Sequence, residues 1–181
     1  MSLKDTLSFR GSDATQLLRD QHVVTVEISE AFLANGADIS QILTHVDYTI
    51  EVHFRLEDEI LLPALTPYLQ RYLEFLEPIR IITGEHMSIR SLYRSLSSVK
   101  SFETEDPVAT EEEVHAGSEK LAKIMLQHIF KEENGLFPMA DSYIPDKERN
   151  QIQISMQQKL ESLHNKYLSD HDSGSQHSKP S

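Results

Sequence analysis

The sequence His-Phe-Arg-Leu-Glu-Asp-Glu at residues 53–59 has a near-copy, His-Ile-Phe-Lys-Glu-Glu-Asn, at residues 128–134. Each copy has a Glu four residues after its His and is followed by an apolar stretch that contains a Pro. Residues four apart on an α-helix lie on one face, one turn apart. We therefore expect two helices that each offer a nitrogen and a carboxylate to one point inside a bundle: His53 with Glu57, and His128 with Glu132.

Hydrophobic periodicity around these segments predicts an all-α fold, an up-down-up-down antiparallel four-helix bundle. The expected helices cover residues 13–34, 39–64, 76–100 and 111–139. The second helix has apolar residues at alternating steps of three and four, and His53 and Glu57 continue that stripe, so both should face the bundle interior. Pro63 should disturb the last turn of this helix.

A short fifth helix is predicted at residues 146–168, and a disordered tail at 169–181, where Ser, Gly, His and Asp replace apolar residues. The expected organisation is a bundle domain over residues 1–145, an additional C-terminal helix and the tail. The sequence does not indicate whether that helix covers one end of the bundle or forms a partner surface, and it leaves the oligomeric state open.

Composition limits the classes of function. The chain has 181 residues, a net charge of −12 and no Cys. The acidic balance argues against nucleic acid and anionic membranes as partners, and the absence of Cys excludes thiol catalysis and Cys-ligated clusters. No apolar run is long enough to span a membrane, and the N-terminus lacks a signal-peptide core. We expect a cytoplasmic protein.

Two further histidines, His22 and His86, fall on the first and third predicted helices. Counted from the helix ends at about 1.5 Å per residue, they lie at the level of His53 and His128. Such a layer predicts a di-metal site in which Glu57 and Glu132 each bridge both ions and each ion takes two histidines. Nitrogen and carboxylate ligands without sulfur suit iron or manganese, with zinc also possible. The remaining histidines are expected to be surface or local residues: His45, His115, His164, His171 and His177.

These residues resemble the hemerythrin-like, or HHE cation-binding, family over about residues 13–140. The resemblance rests on His22 in Asp-Gln-His, on the two His-x-x-x-Glu pairs, on Glu85-His86 and on the Leu-Phe-Pro that follows the second pair. It implies a four-helix bundle that holds two oxo- or hydroxo-bridged iron ions. Members of the family carry, sense or consume O2, respond to nitric oxide, handle iron or help to repair iron–sulfur centres.

The chain departs from the oxygen-carrying members of that family at two places. They have a second His on the third helix, where this chain has Arg90, and an Asp five residues after the last His, where this chain has Glu132 at four. One ion would then lack a third His and have an open position or a substitute ligand such as Glu133 or water. Arg90 is either a cation that holds a bound anion or peroxide, or an ordinary salt-bridged residue. Tyr93 either donates a hydrogen bond to a ligand or packs in the core.

Three functions remain open at this level. The first is binding or sensing of O2, nitric oxide or peroxide, or iron handling, at a di-iron centre. The second is an enzyme that consumes those molecules or assists iron–sulfur repair, although the repair proteins of the family have an N-terminal Cys segment that this chain lacks. The third is a helical interaction module whose metal stabilises the bundle. We favour a metal-binding protein over an enzyme.

Overall fold

The computed structural model describes residues 11–35, 38–70, 76–101 and 110–172, and within these ranges every regular element is helical. The predicted all-α class is confirmed. The first bundle helix spans Asp13–Asn35, the third spans Glu77–Ser101, and the C-terminal helix spans Asp146–Asp172. In the part of the chain that the structure describes, no helix combines the length and the apolar character needed to cross a membrane.

The second bundle helix is a continuous rod that changes its hydrogen-bonding pattern. It is α-helical at Ile39–Tyr48, Phe54–Leu56 and Leu62–Leu69, and π-helical at Thr49–His53 and Glu57–Leu61. Asp38 caps its start by accepting a hydrogen bond from the Ser40 backbone N–H at 2.8 Å. The helix therefore extends five residues beyond the predicted end at residue 64.

The fourth bundle helix has the same construction. It is α-helical at Glu111–Lys131 and Phe137–Tyr143, and π-helical at Glu132–Leu136. Thr110 and Glu113 form a capping box at its start, in which each side chain accepts a hydrogen bond from the other residue's backbone N–H. This helix also extends past its predicted end, from residue 139 to Tyr143.

Wide π-helical turns explain why the second and fourth helices continue past Pro63 and Pro138. Each lies in the first turn after a π-helical segment, where the chain widens to an i→i+5 hydrogen bond. The N–H groups of Leu62 and Phe137 donate to the carbonyl oxygens of Glu57 and Glu132. The disturbance expected at Pro63 takes the form of this wide turn rather than a helix end.

Two apolar clusters fill the two ends of the bundle. One contains Phe32, Ile42, Leu96 and Leu121, from the end of the first and third helices and the start of the second and fourth. The other contains the opposite ends of the four helices together with Ile152, Met156 and Leu163 of the C-terminal helix. This distribution is the one expected of antiparallel neighbours, and it leaves a middle layer between the clusters.

The C-terminal helix packs against the first and second bundle helices. It has 27 residues and reaches Asp172, four residues beyond the predicted end. Its last turns are tied to the second bundle helix, where Tyr167 donates to the Thr44 carbonyl at 3.4 Å and His171 lies 3.2 Å from Asp47. The rest of the predicted disordered tail, residues 173–181, lies outside the described residues.

Candidate metal centre

Six buried polar side chains occupy the middle layer between the two apolar clusters. The exposed fraction of each residue is 4% or less: His22, His53, Glu57, His86, His128 and Glu132. The first and third bundle helices each supply one His, and the second and fourth each supply a His and a Glu. The structure thus brings together all six residues that the sequence analysis singled out.

The six side chains form two overlapping groups, each of which could hold one metal ion. In one group, His22 and His53 have their Nε2 atoms 3.2 Å apart. In the other, the Nε2 atoms of His86 and His128 are 3.1 Å apart. Glu57 and Glu132 belong to both groups, and within each group the candidate ligand atoms all lie within 4.8 Å of one another. Each group therefore offers two nitrogens and two carboxylate oxygens.

The two glutamates divide their oxygens between the groups. Glu132 Oε2 lies 3.1 Å from His22 Nε2, and Glu132 Oε1 lies 2.9 Å from His128 Nε2. Glu57 Oε1 lies 3.5 Å from His53 Nε2, and Glu57 Oε2 lies 3.1 Å from His86 Nε2. Although they are this close to imidazole nitrogens, none of the four buried oxygens accepts a hydrogen bond from a residue that the structure describes. Buried carboxylates without such partners are costly, and a pair of cations between them would remove that cost.

Protons partly balance these charges in the metal-free chain. Burial lowers the pKa of His22, but the adjacent Glu132 and Glu133 carboxylates outweigh it and raise the pKa to about 9. Burial likewise opposes protonation of His86, whose pKa the neighbouring Asp58, Glu132 and Glu57 carboxylates raise to about 11. The pKa of Glu132 falls well below its usual range because the surrounding histidines outweigh its burial. The layer therefore favours positive charge between the ionised carboxylates of Glu57 and Glu132.

The π-helical segments coincide with the candidate ligands. His53 ends the segment Thr49–His53, Glu57 begins the segment Glu57–Leu61, and Glu132 begins the segment Glu132–Leu136. A π turn inserts one residue into an α-helix and shifts the side chains on either side of it, and such turns occur frequently at functional sites. Here they set where the two His-x-x-x-Glu pairs point.

Each of the four histidines is oriented by a side chain on the preceding helix of the ring. Gln21 accepts from His53 Nδ1 at 2.7 Å, and Asp58 accepts from His86 Nδ1 at 2.8 Å. On the opposite side of the bundle, Glu85 lies 3.0 Å from His128 Nδ1, and Glu133 lies 2.7 Å from His22 Nδ1. These bonds engage every Nδ1 and leave every Nε2 facing the layer, where a metal would bind, which is the usual arrangement around histidine ligands.

The four outer side chains, Gln21, Asp58, Glu85 and Glu133, form what we call the outer ring. Every member directly precedes or follows a candidate ligand in the sequence. Adjacent helical residues differ by about 100° in direction, so a residue next to an inward ligand points toward the neighbouring helix. The sequence analysis named only Glu133 of this set as a possible site residue, although a polar residue beside each candidate ligand was the available signal.

Three members of the outer ring are carboxylates, and each of these is paired with a cation. Asp58 accepts from Arg90 Nη2 at 2.8 Å, Glu85 pairs with Lys131, and Glu133 pairs with Arg19. Arg19 is only 2% exposed and also lies 3.3 Å from Asp141. The fourth member, Gln21, is a neutral amide. His53 is therefore the one histidine of the four without a carboxylate behind it.

The three residues predicted to lie around the metal ligands, Arg90, Tyr93 and Glu133, have different contacts in the structure. Glu133 has one oxygen on His22 and the other on Arg19, which is the position of an outer hydrogen-bond partner. Arg90 pairs with Asp58 and stacks over Phe54. Of the two alternatives for Arg90, an anion-holding cation or an ordinary salt-bridged residue, these contacts match the second. Tyr93 packs with the apolar cluster of Phe32 and Leu121 and lines a hollow beside Asp47.

The other histidines fall outside both groups. His45 Nε2 lies 2.9 Å from Thr25 Oγ1. His115 lies near Glu119 and Phe32, while His164 and His171 contact the second bundle helix through Tyr48 and Asp47. The prediction for His177 lies outside the described residues.

Comparison with known proteins agrees with this geometry. The family model described as the hemerythrin HHE cation-binding domain matches residues 13–140, which contain all six side chains of the layer. No curated protein and no solved structure gives a significant match. The family match covers well over half of the chain, and a buried His/Glu cluster able to bind metal lies inside it. The chain therefore belongs to the hemerythrin HHE cation-binding domain family.

Proposed function

We propose that the chain is a non-haem di-iron protein that binds a small ligand, O2, nitric oxide or peroxide, at a centre bridged by Glu57 and Glu132. The observation on which this depends is the pair of four-atom groups that share both glutamates. One His pair would hold each ion: His22 with His53, and His86 with His128. Two nitrogens and two oxygens per ion suit iron, with manganese or zinc as substitutes.

The donor count also supports ligand binding. Each group supplies four protein atoms, whereas iron with imidazole and carboxylate ligands commonly accepts more and has open positions for small molecules. Iron, when bound, would supply the electrons and open positions for such a ligand. Iron would therefore keep open positions in these groups, whereas zinc held by four protein ligands would form a closed, structural site.

The protein's own contribution is orientation and exclusion of water. The outer ring accepts the Nδ1 protons of the histidines and so fixes the tautomer that presents Nε2 inward. Phe137 stacks on the His22 ring with 5.2 Å between ring centroids, and Phe54 stacks on His86 at 3.9 Å. Both phenylalanines are fully buried. They restrict rotation of these two rings and keep water from the space beside them, which strengthens the electrostatic interactions there.

The test is anaerobic purification of the full chain, measurement of metals per chain, and ultraviolet–visible spectra before and after exposure to air or nitric oxide. We expect about two irons per chain, the number of groups in the layer, and new absorption bands on exposure. His53→Ala and Glu132→Ala should lose both metal and bands. His115→Ala is the matched control, because His115 is on the same helix as His128 but belongs to neither group.

The alternatives give different results in the same experiment. Stoichiometric metal without a spectral response to any of the ligands would favour a structural ion. Rapid consumption of peroxide, nitric oxide or O2, lost in Glu57→Ala, would favour an enzyme. No bound metal, together with unchanged folding of His53→Ala and Glu132→Ala, would contradict the proposal and make the layer a polar core network.

A further inference from the structure

A cavity of about 540 Å³ lies between the first bundle helix, the second bundle helix and the C-terminal helix. Its inner end is formed by Gln21 and His53, the pair joined by the 2.7 Å hydrogen bond. Gln153, Gln157 and Leu160 line it from the C-terminal helix. One histidine of the candidate metal layer is thus part of a cavity wall.

The cavity is much larger than a diatomic ligand requires. A water molecule has a share of about 30 Å³ in the liquid, and O2 or nitric oxide is of similar size. Cavities of roughly 300–1,000 Å³ are typical of sites for organic molecules. The volume of about 540 Å³ therefore fits an organic molecule.

The lining combines uncharged hydrogen-bonding groups with apolar patches. Gln, Thr and Tyr side chains dominate the polar part, while Leu17, Val24 and Leu160 supply the apolar part. Asp20 is the one carboxylate among the lining residues, which include no Lys and no Arg. Asp20 already accepts a hydrogen bond from Gln16 at 2.8 Å. Such a wall offers no Lys or Arg to pair with an anion, and burial of an unpaired charge is costly.

His45 adds to the uncharged character of the wall. Thr25 donates its hydroxyl proton to the Gln21 carbonyl at 3.2 Å, so it accepts from His45 Nε2–H at 2.9 Å. Burial, with a smaller contribution from the charge of His53, lowers the pKa of His45 to about 4. At neutral pH this imidazole is therefore an uncharged donor to Thr25, and its Nδ1 is an acceptor.

At the inner end of the cavity, the hydrogen-bond acceptor behind the histidine also differs from those in the rest of the metal layer. Gln21 is a weaker acceptor than the carboxylates behind the other three histidines. While its oxygen faces His53, its amide N–H groups have no partner among the residues that the structure describes. Those N–H groups are available to a molecule in the cavity.

We propose that this cavity binds an uncharged organic molecule with hydrogen-bonding groups and places it beside His53, at one of the two metal positions. The inference deepens the proposed function and rests on it in one respect, because the molecule becomes a substrate or ligand of the centre only if metal is bound there. Binding in the cavity itself depends on the wall residues, and metal-free protein already contains them.

The test uses three probes of one shape and different charge: benzamide, benzoate and benzylamine. Their binding to the isotope-labelled full chain is followed by amide chemical shifts, first metal-free and then zinc-loaded. Benzamide should shift signals of Thr25, Thr49 and Gln153 and bind at least about tenfold more tightly than benzoate, which would bury an unpaired charge. On the iron-loaded protein, benzamide should also change the absorption spectrum.

Gln157→Trp should fill the mouth and weaken benzamide binding by at least about tenfold. Gln158→Trp is the matched control, because Gln158 is the next exposed residue on the same helix and does not line the cavity. Val24→Trp blocks from the opposite wall, should Gln157→Trp fail to fold. No binding of benzamide, equal binding to the blocked variants, or tighter binding of either charged probe would overturn the inference. Benzamide binding by a chain that takes up no metal would support the cavity site and contradict the proposed function.

Discussion

At the scale of single residues, the outer ring should tune metal binding. We predict that Asp58→Asn lowers metal affinity by about 10–100-fold, the usual effect of removing an outer partner of a histidine ligand. The variant weakens the acceptor behind His86 without touching a candidate ligand. Competition with a chromophoric chelator measures the change. Asp47→Asn is the control, since Asp47 is on the same helix but contacts His171. Equal affinities for the two variants would contradict the prediction.

The raised pKa values of His22 and His86 make metal uptake pH-dependent. At pH 7 both are protonated in the metal-free chain, because their pKa values are about 9 and about 11. Glu132, with its lowered pKa, is already ionised. Metal must therefore displace one proton from each of these two histidines, and apparent affinity should rise with pH. Proton release on zinc addition in weakly buffered solution at pH 7 measures this, and metal uptake without release would contradict it.

The same pKa values have the opposite effect on the metal-free protein. The pKa of each histidine in the folded chain lies above its usual value of 6.5. Their contribution to stability is therefore complete below pH 6.5 and is lost as the pH rises through about 9 and about 11. Metal-free and metal-loaded protein should thus diverge in stability as the solution becomes more alkaline.

At the scale of helices, two glycines should respond differently to the same substitution. A Cβ at Gly84 meets no atom within 4 Å, whereas a Cβ at Gly117 would lie 2.5 Å from Leu96 Cδ2. Gly84→Ala should raise the free energy of unfolding by about 0.5–1 kcal/mol, since Ala loses less backbone entropy in a helix. Gly117→Ala should gain less or lose stability, because the third and fourth helices approach closely there. Urea unfolding measures both, and equal gains would contradict the close approach.

Helix identity could be predicted from the sequence, but the wide turns could not. The apolar stripe of the second helix and the spacing of His53 and Glu57 depend on local periodicity, which the sequence displays directly. A π turn inserts a single residue, and its apolar pattern differs little from that of an α-helix. The prolines mark this point in the sequence, but the pattern around Pro63 predicts only a disturbed last turn. The helix instead continues to Leu69.

The six-residue layer was accessible from the sequence for a geometric reason. Levels along antiparallel helices can be counted, so His22 and His86 could be placed beside His53 and His128. Contacts that depend on where a long side chain ends could not be counted. Arg19 is an example: it lies three residues before His22, yet its partners Glu133 and Asp141 are on the fourth helix.

At the scale of the whole molecule, the C-terminal helix contributes to the main core. Met156 is fully buried within the apolar cluster that also contains Leu18 and Phe137. Met156→Ala should therefore lower the free energy of unfolding by about 2–5 kcal/mol. Ile154→Ala is the control, because Ile154 is 47% exposed on the same helix. Chemical unfolding of the two variants separates the cases, and a similar small effect for both would mean that the helix is only loosely attached.

The outer ring has a consequence for how the four helices choose their alignment. Each bundle helix gives one side chain to the next helix and receives one from the previous helix, and the link from Glu133 to His22 closes the circuit. Apolar stripes alone tolerate a helix that slides by one turn, about 5.4 Å, because one Leu then replaces another. Here the same slide would break two polar links at once. The closed ring of four polar links therefore favours one register of the four helices and destabilises misaligned bundles.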